Sequence, residues 1–263
     1  MDKFASSSDG IKIRYEVTGE GPTALLFVHG SMGSARWWDA QRDHFAGRYT
    51  VVQMDLAGHG GSDKSRPVWS ARQYAEDIKA VADRIDPQKI ILVGHSMSGA
   101  YALEASLIVP RTRAVVLVDT LKDLDQSMTY QQADELLFRP YRKDFKSTVE
   151  DVLPRYLFAA STPPEVRARL LRDFLKNDPE TVVKSIAPLY LMDLRAAATR
   201  VTVPVRAINS DSAPTRRDNN RKYFRDYDYA VICGTGHYPM LERPDEFNRI
   251  LDETVLSLVG MDQ

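Results

Sequence analysis

Short apolar runs alternate with helical patterns along the first half of the chain, and no other feature restricts the fold so strongly. Ala24-Leu25-Leu26-Phe27-Val28 is apolar throughout, as a strand covered on both faces must be. Val51-Val52-Gln53-Met54, Ile90-Ile91-Leu92-Val93 and Ala114-Val115-Val116-Leu117-Val118 repeat that reading. Ile11–Val17 alternates apolar with polar residues and stops at Thr18-Gly19-Glu20-Gly21-Pro22, a strand running into a turn. Helical patterns over Ala35–Ala46, Ala71–Ile85 and Met97–Val109 lie between these runs. The helices supply the cover that apolar strands need. The expected architecture is therefore α/β, a doubly wound and mostly parallel sheet.

The alternation stops after Val118. From about Leu121 to Arg200 no strand pattern is found. Amphipathic stretches over Ser127–Phe138, Thr148–Phe158, Pro164–Lys176 and Pro179–Leu194 take its place, punctuated by Pro140, Pro154, Pro163 and Pro164. Strand and helix patterns resume with Val203–Ile208, Tyr229–Cys233 and a last helix from Pro244 to about Val259. This organisation implies a helical cap, residues 121–200, inserted after the sixth strand of a core formed by residues 1–120 and 201–263. Arg216-Arg217 and Arg221-Lys222 are interrupted by acidic residues and read as a mixed, solvated face.

Bulk properties exclude several classes of function. The 263 residues, 43% hydrophobic and 27% charged, suit a globular domain with a substantial core. A formal net charge of −1 provides no field for nucleic acid or an anionic membrane. Cys233 is the sole cysteine, which rules out an internal disulfide and a cysteine-based metal cluster. The first ten residues lack the apolar core of a signal peptide, and no run approaches ~18 apolar residues, so a cytoplasmic protein is the default expectation.

Three loops carry the residues with chemistry in them. Gly94-His95-Ser96-Met97-Ser98-Gly99 directly follows the run Ile90–Val93 and directly precedes a helix. A serine on so tight a strand-to-helix turn needs small residues two places to either side, and Gly94 and Ser98 meet that need. Serine in place of the usual glycine at 98 is a departure small enough to be tolerated. His29-Gly30-Ser31-Met32-Gly33 follows the run Ala24–Val28. Its Ser31 amide, with that of Met97 at the start of the helix, is positioned to bind an oxyanion. Gly234-Thr235-Gly236-His237-Tyr238-Pro239 follows the last strand, and from there His237 can reach a serine at the top of the sheet. Four other histidines compete with it. His44 reads as a surface residue, His29 as a buried one bonded to backbone, and His59 as part of a structural glycine-rich loop without a phosphate-binding ending. His95 adjoins the serine, but neighbours in such an elbow point apart.

Together HGSMG, DLAGHGGS, GHSMSG and GTGHYPMLERP, in this order and spacing, resemble the α/β-hydrolase superfamily over nearly the whole chain. The resemblance implies the α/β-hydrolase fold and a triad in the chain order serine, acid, histidine, which assigns Ser96 as nucleophile and His237 as general base. The acid has two candidates. The family's usual position, after Val203–Ile208, falls on Ala213, with Asp211 two places early. The second position, at the end of the sixth strand, holds Asp119 with no shift of register, as in the haloalkane dehalogenases of this superfamily. Register favours Asp119 over Asp211.

The expected function is a serine hydrolase that cleaves carboxylic esters or lactones, acyl-homoserine lactones included, through an acyl-enzyme on Ser96, without metal or organic cofactor. A serine nucleophile argues against haloalkane dehalogenases and epoxide hydrolases. The rivals are a C–C bond hydrolase of the same fold and a hydrolase-like receptor for a small ligand. Tyr130, Leu136, Phe138, Tyr141, Phe145, Tyr156, Leu157, Phe158, Tyr190 and Met192 supply an apolar cap interior, and Trp37 and Trp38 are placed to reach the same cleft. The expected partner is the small-molecule substrate alone, with no nucleic acid or membrane, bound by a monomer or homodimer.

Overall fold

A computed structural model describes residues 2–260 and contains an eight-stranded sheet. Its strands are β1 (Lys3–Ser6), β2 (Lys12–Thr18), β3 (Thr23–Val28), β4 (Thr50–Met54), β5 (Lys89–His95), β6 (Thr112–Val118), β7 (Val205–Ser210) and β8 (Tyr227–Ile232). Their spatial order is β1-β2-β4-β3-β5-β6-β7-β8. The β1–β2 and β2–β4 pairs are antiparallel, and every pair from β4–β3 to β7–β8 is parallel. Every residue of β3 and β4 is buried, as is all of β5 except Lys89, which is why these segments read as unbroken apolar runs.

Helices cover both faces. The crossovers are α1 (Asp39–Phe45), α2 (Ala71–Ala82) and α3 (Met97–Ser106). On one face α2 and α3 pack together through stacked Tyr74 and Tyr101 rings, 4.5 Å apart. On the other, α1 meets the final helix, Pro244–Gly260, where the Gln41 amide donates to Asn248 Oδ1 at 2.9 Å. Trp38 lies in that layer against Phe27 and Phe247. It is therefore a core residue and not the cleft residue its position after the HGSMG loop suggested. The order reverses at β3, whose neighbours are β4 on one side and β5 on the other. Open α/β sheets form their binding crevice at such a switch point, beyond the carboxyl ends of the strands.

Several short pieces of regular structure escaped the sequence reading, β1 and Arg217–Arg221 among them. β1 is a four-residue edge strand with too few residues to show a period. Arg217–Arg221 is a short helix within the mixed-charge stretch, and its buried Asn220 donates to Leu121 O and accepts from Leu124 N–H. Between β6 and β7 the described elements are all helical. Pro140 does not end its helix, as the proline punctuation suggested, and Pro154 lies within the helical stretch Thr148–Phe158 expected there. Tyr130–Ala133, Asp134–Phe138 and Arg139–Lys143 follow without a break, and the middle piece is a π-turn. Thr148–Val152, immediately before Leu153 and Pro154, is another. Proline lacks the N–H and its ring crowds the carbonyl four residues back. A widened turn just upstream, closed by Arg139 N–H to Asp134 O and Leu153 N–H to Thr148 O, relieves that crowding and lets the helix continue. Among the described residues no helix is long and apolar enough to cross a membrane.

Candidate active site

Ser96 sits where β5 turns into α3, with φ 56° and ψ −125°. A residue with a Cβ avoids this region, and holding it there costs about 1–3 kcal/mol. The turn is possible because its neighbours are small. A Cβ on Gly94 would lie 2.5 Å from the carbonyl oxygen of Ser98, and one on Gly99 would lie 2.4 Å from Cγ2 of Thr120. Ser98 is buried, and its hydroxyl donates to the carbonyl oxygen of His29. The serine that replaces the usual glycine thus ties the turn to the HGSMG loop. Among the described residues four non-glycines have positive φ: Met32 (59°), Ser96 (56°), Asp119 (47°) and Leu121 (48°). All belong to loops at the carboxyl edge, so the backbone strain is concentrated at one place.

The HGSMG loop is locked from beneath by two neutral histidines. His29 Nε2 accepts the Leu56 N–H at 3.1 Å, and its Nδ1 bonds the Gly30 carbonyl at 2.7 Å. His59 Nε2 accepts the Met32 N–H at 3.2 Å, and its Nδ1 bonds the Ala57 carbonyl at 3.1 Å. Each ring is thereby fixed as the Nδ1–H tautomer. Burial pushes both below the ordinary histidine value, His59 to about 3. With the Met32 and Gly33 amides engaged, the Ser31 amide has no acceptor among the described residues. The Met97 amide opens α3 and has no acceptor within the helix. Gly30 lies so close to the elbow that a Cβ there would be 3.0 Å from Cβ of Ser96 and 2.6 Å from Nδ1 of His95.

His237 Nδ1 lies 2.7 Å from Asp119 Oδ2. Asp119 follows β6 directly, and its Oδ1 accepts the Ser210 N–H at 2.7 Å and the Lys122 ammonium at 2.8 Å. Burial alone would raise the Asp119 carboxyl. The hydrogen bonds and charges of His237 and Lys122 outweigh it and hold the carboxyl well below the usual carboxylate range. Asp211 points elsewhere: it is exposed and accepts the Gly234 N–H at 2.9 Å. Ala213, at the family's usual acid position, is exposed as well.

His95, Leu157 and Glu242 hold the His237 loop and Lys122 holds Asp119, and sequence reasoning found none of these contacts. His95 Nε2 donates to the His237 carbonyl at 2.8 Å; the ring is buried, which pushes it down to about 3 and keeps it neutral. The His237 N–H donates to Leu157 O at 2.7 Å, a direct bond from the helical segment to the site. Buried Glu242 accepts the amides of Gly236 and Tyr238, on either side of His237, and the hydroxyl of Thr162 at 2.6 Å. Lys122 holds Asp119. Its spacing three residues after a strand-ending aspartate is the one sequence signal that could have revealed such a partner.

The helical segment is seated on these loops. Phe158 and Phe174 pack against Tyr238, Trp37 donates to Asp173 Oδ2 at 3.2 Å, and Asn177 donates to Met32 O at 3.3 Å. Of the apolar residues expected inside it, Phe138 and Tyr141 are buried. Tyr156, Leu136 and Tyr130 face outward, with Tyr156 74% exposed.

A strained serine after β5 and a histidine–aspartate pair joining the loop after β8 to the end of β6 define a class of protein. The sequence matches the Alpha/beta hydrolase family over residues 25–250, and the chain belongs to that family. It is similar to the pimeloyl-[acyl-carrier protein] methyl ester esterase of Nitrosospira multiformis, 25% identical over 253 residues that cover 90% of this chain and 95% of the relative. In structure it resembles the esterase EaEST from Exiguobacterium antarcticum, with a TM-score of 0.86, 20% identity and coverage of 97% and 99% of the two chains. It also resembles Est816, described as an N-acyl homoserine lactone degrading enzyme, with a TM-score of 0.78, 24% identity and coverage of 95% and 99%. These likenesses support hydrolase function at the level of the family.

Proposed function

We propose that this protein is a serine hydrolase of carboxylic esters or lactones that works through an acyl-enzyme on Ser96. The observation that carries the reading is the 2.7 Å contact between His237 Nδ1 and Asp119 Oδ2, on a loop that His95, the neighbour of the strained Ser96, holds through the His237 carbonyl. An aspartate on Nδ1 holds the proton there and leaves Nε2 as the base. His237 takes the Ser96 proton as Oγ attacks the substrate carbonyl. The amides of Ser31 and Met97 bind the developing oxyanion. His237 then returns the proton to the leaving alcohol as the C–O bond breaks, and water attacks the acyl-enzyme by the same base catalysis. The helical segment acts as a cap that shields the acyl-enzyme and shapes the acyl pocket. The relation to a methyl ester esterase favours esters, and the fold shared with a lactone-degrading enzyme makes lactones the second class to try.

The test is a panel of p-nitrophenyl esters of increasing acyl length, together with aliphatic and acyl-homoserine lactones, using Ser96→Ala as control. Turnover that Ser96→Ala abolishes supports the reading. Turnover that survives the substitution at the wild-type rate refutes it.

A further inference from the structure

The Lys122 side chain is only 14% exposed, yet it carries an ammonium group. Its Nζ lies 2.8 Å from Asp119 Oδ1, 3.1 Å from Ser210 O, 3.0 Å from Ser210 Oγ and 3.1 Å from Ser212 Oγ. Three N–H groups thus serve four acceptors, and the one anionic acceptor is the carboxylate bonded to His237. The backbone is arranged to make this possible: Asp119 and Leu121 both take positive φ, which turns the chain back so that a residue three places on faces Asp119. The Arg216 N–H donates to Lys122 O at 2.7 Å and fixes the lysine backbone from the other side.

From this geometry we infer that Lys122 is a positioning residue for hydrolysis, whose ammonium holds the Asp119 carboxylate against His237 and offsets its charge, so that loss of the ammonium changes the pH dependence of the reaction. The inference rests on the serine hydrolase reading above. Asp119 stabilises a protonated His237, and a base saturated with protons is no base. A positive charge on the other oxygen of the same carboxylate opposes that protonation.

The other groups facing the pair are accounted for. His95 from the elbow is held neutral, and Tyr238, beside His237, has its hydroxyl pushed up by burial. Tyr141 from the helical segment is likewise pushed up by burial, and Glu242 is engaged by the Gly236 and Tyr238 amides. On the outer side Asp123 bonds Asn219 and the Asp125 N–H, Asp211 bonds the Gly234 N–H, and Arg216 is exposed. None of these takes the place of the ammonium at Asp119 Oδ1.

The experiment is the pH profile of kcat/KM for p-nitrophenyl butyrate, at constant ionic strength, with wild type, Lys122→Met, Lys122→Gln and Lys122→Arg. Loss of the charge should move the acid limb upward by about one pH unit in the Met and Gln variants. Lys122→Arg, which keeps the charge, should leave the limb near its wild-type position. A purely structural strap would lower the plateau and leave the limb where it was; a limb shifted by less than about 0.2 units in the neutral variants overturns the inference. Should Lys122→Met fail to fold, Lys122→Gln, which keeps a donor for Asp119 and Ser210, decides. Full activity in Ser96→Ala would sink the hydrolase reading itself, whereas an inactive Ser96→Ala beside an unmoved limb sinks the role of Lys122 alone.

Discussion

His95 Nε2 donates a 2.8 Å hydrogen bond to the backbone carbonyl of His237, so the residue next to the candidate nucleophile holds the loop of the candidate base. The two rings lie 4.8 Å apart, and a Cβ at Gly30 would touch the far side of His95. This contact sets the spacing between Ser96 and His237 without entering the chemistry. Replacing His95 with Ala leaves a half-buried carbonyl unpaired, at about 1 kcal/mol or more. The expected result is a kcat lower by roughly 10- to 100-fold with KM little changed. Steady-state kinetics with a p-nitrophenyl ester check it, and a wild-type kcat would show that the contact does not position His237.

Ser96→Ala and His237→Ala should each lower kcat by ~10³-fold or more, with folding retained. Labelling by a fluorophosphonate should occur in the wild type and vanish in Ser96→Ala. Ser96→Gly should also be inactive, but its Tm should rise, because glycine adopts φ 56° without the penalty borne by serine. A Tm lowered by that substitution would mean that the elbow is not strained.

Asp119→Asn and Asp211→Asn separate the two candidate acids. Asp119 bonds His237 Nδ1, whereas Asp211 bonds the Gly234 amide from an exposed position. Asparagine at 119 favours the wrong imidazole tautomer, a change that costs a Ser-His-Asp protease about 10⁴-fold in kcat. The expected outcome is a loss of ~10³- to 10⁴-fold for Asp119→Asn and less than about threefold for Asp211→Asn. The reverse order would move the acid to the β7 loop.

Stability should fall on mild acidification. His59 and His95 are held near 3 by burial, while an unfolded chain binds their protons below about 6.5. The folded state binds fewer protons in that window, so their contribution is complete above about pH 6.5 and is lost as pH falls toward 3. Each group contributes a slope of about 1.4 kcal/mol per pH unit there. The local cause is plain at His59, whose Nε2 accepts the Met32 N–H and would face it donor to donor if protonated. Urea unfolding at pH 7, 6 and 5 should show the decline, with a shallower slope for His59→Gln. A stability that stays flat down to pH 5 would contradict this account.

The sequence by itself determined most of the sheet and the strand-to-helix turn that carries Ser96, the candidate nucleophile. β3, β4 and β5 are covered on both faces, which leaves an unbroken apolar run, and Gly94 must lack a Cβ because Ser98 O would otherwise be 2.5 Å away. Such requirements are local and leave a local pattern. His237 was legible for a similar reason, since its loop follows the last strand and is loosened by glycine. Tertiary structure alone decided what lies around these residues. That Asp119 meets His237, 118 positions away, and that Lys122, Glu242, His95 and Leu157 O converge on the same pair depends on the parallel register of β5, β6 and β7 and on the seating of the helical segment. A hydrogen bond of that kind requires proximity without periodicity. Nothing in the residues nearby in sequence distinguishes a carboxylate that clamps two amides from one that faces water.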